Sequence, residues 1–72
     1  MNNINLTKKQ KQIANILITT GESDKYIANE LGIAVPTVKM HLEHMRTKVC
    51  VLTGKPIKNR VQLVLELLKR TY

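Results

Sequence analysis

The amino-acid sequence predicts a small all-α domain built from four helices. Apolar residues recur at steps of three and four along most of the chain, which is the spacing of one face of a helix. Capping residues and glycines stand at the ends of these periodic runs. With 72 residues the chain has the length of one domain, and without Trp or Phe its core must be aliphatic.

The first helix is expected over residues 7–19. Thr7 and Gln10 have the spacing of a capping box, in which each side chain bonds to the backbone N–H of the other. The helix then carries an apolar stripe made of Ile13, Ile16 and Leu17. Gly21 follows two threonines and ends the run, because glycine and β-branched residues continue a helix poorly.

The second and third helices are expected over residues 24–31 and 35–49. Ser23 can cap the second helix, and Gly32 suits the left-handed conformation that ends it. Pro36 is tolerated in the first turn of the third helix, since its missing N–H would be unpaired there. The third helix has a regular stripe that we expect to be buried, made of Val35, Val38, Leu42, Met45 and Val49. Two helices joined by such a tight turn form a helix-turn-helix motif.

A loop is expected over residues 52–58, followed by a fourth helix over residues 59–71 with Asn59 as its cap. The apolar arc of this helix is about twice the ~100° that a surface helix needs. One side holds Val61, Val64, Leu65, Leu68 and Tyr72. The surplus of the arc would be exposed in a monomer, so we assign a dimer interface to Leu63, Val64 and Leu67. The alternative is that the first helix covers it.

The charge of the chain points to a polyanionic partner. Lys and Arg total 12 against 5 Asp and Glu, which gives a net charge of +7. The single cysteine, Cys50, excludes an intrachain disulfide and fits a reducing cytoplasm. The N-terminus lacks the features of a signal peptide, and no apolar run approaches the ~20 residues of a membrane span.

The outward face of the third helix offers groups that suit DNA bases. At about 100° per residue it comprises residues that we assign to base reading: Lys39, Met40, Glu43, His44 and Thr47. Lysine can donate to guanine, glutamate can accept from the cytosine amino group, and methionine can contact the thymine methyl group. Backbone phosphates are assigned to four flanking residues, Lys25, Thr37, Arg46 and Lys48.

Several short runs of the chain resemble the LuxR-type helix-turn-helix family, which includes the DNA-binding domains of the NarL/FixJ response regulators and of quorum-sensing regulators. The most specific runs are Ile27-Ala28, Leu31-Gly32-Ile33 and Thr37-Val38-Lys39-Met40-His41. The resemblance implies a four-helix domain whose third helix reads the major groove and whose fourth helix forms the dimer contact. By this resemblance Lys39, Met40 and Glu43 fall at base-reading positions, and Lys25 and Thr37 fall at backbone positions. Gln10 and Gln12 stand where acidic residues are usual in the family.

Metal and catalytic sites are not expected. His41 and His44 flank Glu43 on one helix, but four tetrahedral ligands are not available nearby. No nucleophile–base pattern, glycine-rich phosphate loop or pair of carboxylates is present in the sequence. We therefore expect neither an enzyme nor a cofactor or small-molecule ligand.

The sequence predicts a stand-alone, double-stranded-DNA-binding transcription regulator that acts as a homodimer in a bacterial or phage-encoded, nucleoid-associated setting. Two alternatives remain open. One is a protein-interaction module that binds RNA polymerase or another regulator through helix 59–71, and it predicts loss of function on changing Leu63 and Leu67. The other is a region-4-like fragment of a sigma factor, which would need polymerase to bind promoter DNA.

Overall fold

Four α-helices make up the computed structural model, which describes residues 4–70. In chain order they are α1 (Lys8–Thr20), α2 (Asp24–Leu31), α3 (Val35–Thr53) and α4 (Arg60–Leu68). All regular secondary structure in this part of the chain is helical, which confirms the all-α fold class. Across residues 4–70, no helix combines the length and the hydropathy needed to cross a bilayer.

Polar side chains cap three of the four helices at their N-termini. The Thr7 hydroxyl accepts from the N–H of Gln10 at 3.2 Å, and the Gln10 amide oxygen accepts from the N–H of Thr7 at 3.1 Å. Ser23 caps α2 and Asn59 caps α4 in the same N3-directed way. Ala34 precedes α3 and has no side-chain acceptor, so this helix begins without such a bond.

Helix α3 is longer than predicted. The sequence placed its end near Val49, but the helix continues for one more turn to Thr53. No proline or glycine interrupts this turn, and the Thr53 hydroxyl donates to the Val49 carbonyl at 2.9 Å. Gly54 then ends the helix in the left-handed conformation, with φ 71°. The predicted loop over residues 52–58 therefore begins two residues later than expected.

Helix α4 ends earlier than predicted, at Leu68 instead of residue 71. Lys69 and Arg70 lie beyond the helix, and residue 71 lies outside the described residues. The Arg70 guanidinium turns back and donates to the Glu66 carbonyl at 2.8 Å. This contact satisfies one of the carbonyl groups that the end of a helix leaves without a partner.

The core lies where the four helices meet, and every helix contributes to it. Its largest fully buried side chains are Ile13, Leu17, Ile27, Val38, Met45, Val49, Leu63 and Leu67. Ile4 and Leu6, in the segment before α1, are also buried at 5% exposure each. Helix α1 contacts each of the other three helices. The sequence pattern does not predict the burial of Ile4 and Leu6, because the segment before α1 has no helical periodicity.

The assignment of Leu63 and Leu67 to a dimer interface is wrong. Leu63 and Leu67, assigned to an exposed dimer interface, are 1% and 0% exposed and belong to the core. The exposed apolar residues of α4 are instead Val61 at 67%, Leu65 at 52% and Leu68 at 59%. Tyr72, which was grouped with them, lies outside the described residues.

Arg60, the first residue of α4, makes polar contacts outside its own helix. Arg60 forms an ion pair with Asp24, the first residue of α2. Its guanidinium also donates to the Glu22 carbonyl at 3.0 Å. These contacts tie the first residue of α4 to the start of α2, while Leu63 and Leu67 of the same helix lie in the core. Both apolar sets have helical spacing, so the periodicity alone could not choose between them.

Candidate nucleic-acid interface

A tight turn joins α2 to α3 and fixes the angle between them. Gly32 has φ 65°, a left-handed conformation that glycine adopts without steric cost. The Ile33 N–H donates to the Ala28 carbonyl at 3.0 Å, which closes the end of α2. Ile27 on α2 and Val38 on α3 are both fully buried in the shared core. The two helices thus form a braced helix-turn-helix unit.

The inner and outer faces of α3 differ sharply. Four residues of the predicted stripe are buried, namely Val38, Leu42, Met45 and Val49, while Val35 is half-buried. All five side chains assigned to base reading are exposed: Lys39, Met40, Glu43, His44 and Thr47. The structure therefore brings these five residues to solvent along one helix. Their contact with bases stays a prediction.

Hydrogen bonds within α3 modify the groups that this face presents. The Thr47 hydroxyl donates to the Glu43 carbonyl at 3.0 Å, so its proton is used and its lone pairs face outward. The Glu43 carboxylate lies 3.3 Å from the Arg46 guanidinium. This pair is exposed, at 69% for Glu43 and 34% for Arg46, so water screens it and it stabilises the fold little. Both groups can exchange partners when another molecule arrives.

The residues assigned to phosphate contacts occupy different environments. Lys25 is exposed on the first turn of α2, and Thr37 is half-buried on the first turn of α3. Arg46 is half-buried, and its Nε atom has no hydrogen-bond partner within the described part of the chain. These three side chains lie on the two helices of the helix-turn-helix unit. Their role as phosphate contacts also remains a prediction.

Lys48 is held by the protein itself. Its ammonium group donates to the Asn5 carbonyl and to the Gln10 amide oxygen, each at 2.8 Å. Gln10 is 3% exposed and is the same residue that completes the cap of α1. No local sequence pattern predicts this cluster, since its members are up to 43 positions apart. A signal was present in Gln10, a polar residue at a capping position that faces the core.

An apolar surface of α4 lies apart from the exposed face of α3. It comprises Val61, Leu65 and Leu68, and we call it the α4 stripe. Val64, the third residue assigned to a dimer interface, is half-buried beside it. A groove next to the stripe is bordered by Ile18 of α1 and by Val64. The stripe is thus continuous with a shallow depression between α1 and α4.

The remaining reactive side chains of the described residues lie apart from one another. Within residues 4–70, no three His, Cys, Asp or Glu side chains come together as potential metal ligands. His44 is exposed, whereas His41 is half-buried with an unpartnered Nδ1 atom. Cys50 is a half-buried free thiol in the C-terminal half of α3. The exposed polar face of α3 is therefore the feature that most resembles a functional site.

Comparison with known proteins gives one family. The model of the family described as "Bacterial regulatory proteins, luxR family" matches residues 4–67. The matched range includes α1, α2 and α3 and most of α4. No curated protein and no solved structure matches the chain significantly.

Proposed function

The chain belongs to the luxR family of bacterial regulatory proteins, a family of DNA-binding transcription regulators and not of enzymes, and from this premise we propose that it reads double-stranded DNA by placing α3 in the major groove. The observation that carries the proposal is the outward face of α3. This face, which we call the reading face, holds Lys39, Met40, Glu43, His44 and Thr47. Five polar or polarisable side chains are exposed there, while the opposite face is anchored in the core. A major groove about 12 Å wide accepts a helix of this kind.

Three side chains on this face have base-reading chemistry. Lys39 can donate to the O6 and N7 atoms of guanine, and Met40 can contact a thymine methyl group. Glu43 can accept from the amino group of cytosine, which would require its carboxylate to loosen its contact with Arg46. The released guanidinium would then be available to a phosphate. His44 and Thr47 extend the same face by one turn.

Backbone phosphates supply the part of the affinity that does not depend on sequence. The net charge of +7 attracts DNA before any specific contact forms. The residues assigned to these phosphate contacts are Lys25 on α2 and Thr37, Arg46 and Lys48 on α3. Each phosphate that a cation neutralises releases counterions, so the affinity must fall with rising salt.

A titration with matched lysine variants tests the proposal. The chain is titrated by fluorescence anisotropy against a randomised duplex pool, and the retained duplexes are sequenced. Lys39→Ala should cost about 1–3 kcal/mol on the enriched site and relax the base preference at one position. Lys8→Ala removes the same charge from an exposed position of α1 and should lower binding slightly and equally on all duplexes. Equal effects of both variants, or no enriched motif, would contradict α3 as the reading helix.

We further propose that two copies assemble through the α4 stripe. Its three residues are spaced by four and three positions, so they form one face of the helix, and each is more than half exposed. A two-fold pairing of this face would bury them and would present two α3 helices to a pseudo-palindromic site. The stripe replaces Leu63 and Leu67 as the candidate interface.

The same exposed stripe supports a second candidate function, in which it docks onto RNA polymerase or another regulator. An apolar surface that is separate from the reading face can bind a protein while α3 holds DNA. Under this candidate, polar substitutions in the stripe abolish transcriptional regulation and leave the affinity for duplex DNA unchanged. Under the homodimer they lower the affinity for a two-half-site duplex and leave binding to one half-site unchanged.

A further inference from the structure

Lys48 carries its charge without a carboxylate partner. Within residues 4–70 the ion pairs involve other cations, namely Arg46, Arg60, Lys69 and Arg70. The two acceptors that hold Lys48, the Asn5 carbonyl and the Gln10 amide oxygen, are both neutral. An ammonium group has three donors, so one donor remains for a group outside this cluster.

Gln10 is held in one amide orientation. Its side-chain oxygen faces two donors, the Thr7 N–H at 3.1 Å and the Lys48 ammonium at 2.8 Å. The amide nitrogen has only donors and could not take this place. A glutamate of the same shape could accept both bonds and would add a negative charge beside Lys48. The difference between glutamine and glutamate at this position is therefore a difference of charge and not of geometry.

Lys48 borders an open groove beside the reading face. Lys48 follows Thr47, an exposed residue of that face, and both border an open groove together with Asn5 and Val51. The lysine stem is already held in one position by its two bonds, so binding an anion there costs less side-chain entropy than ordering an exposed lysine. A DNA duplex whose major groove receives α3 carries its phosphates on the two rims of the groove.

We propose that Gln10 is a positioning residue that holds the Lys48 ammonium without neutralising it, so that Lys48 binds a backbone phosphate of the DNA. This inference rests on the proposed function, because it requires α3 to lie in the groove. Gln10 touches no DNA in this arrangement and acts through Lys48. Its neutral amide leaves the charge of Lys48 available to DNA. It also stabilises the fold less than a carboxylate would, since a carboxylate at this first-turn position would interact favourably with the helix dipole of α1.

Two matched glutamine substitutions separate this role from a general change of charge. Gln10→Glu and Gln12→Glu each add one negative charge to α1, but Gln12 is exposed and makes no contact with Lys48. Each variant is titrated against the duplex selected by the wild type at about 50 and about 200 mM salt. Thermal unfolding of the same samples reports the stability of the fold.

Gln10→Glu should lose one phosphate contact and gain stability at the same time. We expect the slope of log affinity against log salt to fall by about one, which makes the loss about fourfold larger at the lower salt concentration. Its Tm should rise by a few degrees, because the new carboxylate pairs with Lys48. Gln12→Glu should leave both the slope and the Tm close to those of the wild type.

A second pair of variants tests the ammonium without adding a charge. Lys48→Met should lower the salt slope by about one, while Lys55→Met, at an exposed position of the loop before α4, should not. Equal slopes for the two glutamine variants, or an unchanged slope in Lys48→Met, would overturn the inference and leave the proposed function standing. A wild type that shows no salt-dependent binding to DNA would overturn both.

Discussion

Helices α3 and α4 both bury an apolar stripe, but their exposed sides differ in chemistry. Each inserts apolar side chains into the common core, with Met45 and Val49 from α3 and Leu63 and Leu67 from α4. On the outside, α3 exposes a mostly polar face over residues 39–47, with Val51 and Leu52 exposed beyond it, whereas α4 exposes the α4 stripe of Val61, Leu65 and Leu68. The buried side of a helix therefore determines where it sits, and the outer side indicates what it contacts. In the proposed function, the outer side of α3 contacts DNA and that of α4 contacts a protein.

The largest expected effect separates the two sides of α4. Leu63 is 1% exposed, so Leu63→Ala should leave a cavity and lower the free energy of unfolding by about 2–5 kcal/mol. Leu65 is 52% exposed, so Leu65→Ala should change it by less than about 0.5 kcal/mol in the monomer. Urea unfolding, followed by circular dichroism at low protein concentration, measures both variants.

A charged substitution at Leu65 tests whether the outer side of α4 contacts a second copy of the chain. Leu65→Asp should keep the fold and reduce the mass measured by sedimentation from that of a dimer to that of a monomer. Equal stabilities of Leu63→Ala and Leu65→Ala would contradict the orientation of α4. An unchanged mass in Leu65→Asp would contradict the α4 stripe as the interface between copies.

The sequence was sufficient to predict which side of α3 is buried, because the two sides of this helix differ in chemistry. Charged and polar residues such as Lys39 and Glu43 occupy the other side of the helix at every turn, so only one side is apolar enough to be buried. Helix α4 has apolar residues over most of its circumference, and Gln62 and Glu66 leave more than one side available. The side that is buried depends on how α4 packs against α1 and α3, and such contacts lie outside any local pattern.

Long-range polar contacts set the second limit of sequence reasoning. Lys48 was assigned to phosphate binding by its place on α3, with no indication that Gln10 would hold it. The capping role of Gln10 was predictable, since it depends on Thr7 three residues earlier. Its contact with Lys48 depends on how α1 packs against α3, which capping rules do not describe.

Smaller effects are expected from the N-caps, in which α3 and α4 also differ. The Asn59 side chain accepts from the Gln62 N–H at 2.9 Å, whereas Ala34 offers no acceptor to α3. Ala34→Ser should raise the free energy of unfolding by about 1 kcal/mol, and Asn59→Ala should lower it by a similar amount. Thermal and urea unfolding give both values.

Glycine at position 59 provides the control for the cap of α4. Glycine is tolerated at an N-cap with a loss of only a few tenths of a kcal/mol relative to a polar cap. Asn59→Gly should therefore unfold close to the wild type and clearly above Asn59→Ala. If Ala34→Ser leaves the stability unchanged, the first turn of α3 does not lack a cap, and the contrast with α4 is limited to the outer faces.

The smallest effect concerns the ion pairs on the two helices. The Glu43–Arg46 pair on α3 is largely exposed, whereas Glu66 and Arg70 at the end of α4 are 19% and 11% exposed and lie 2.5 Å apart. The hydrogen bond from Arg70 lowers the pKa of Glu66 below its usual value of 4.5, helped by the charges of Lys69 and Arg70 and opposed by burial. Because the pKa is lower in the folded state, the pair stabilises the fold above pH 4.5, and this stabilisation is lost as the pH falls through the folded value.

Glu66→Gln removes this dependence on pH and makes the contribution of the pair measurable. At neutral pH the variant should unfold at a slightly lower temperature than the wild type, because Arg70 loses its charged partner. The difference in Tm should shrink as the pH falls below 4.5, since the wild-type carboxyl then takes up a proton and also becomes neutral. A difference in Tm that stays constant as the pH is lowered would show that the charge of Glu66 adds nothing to its contact with Arg70. The end of α4 would then resemble the exposed pair on α3, with its charges contributing nothing measurable to the fold.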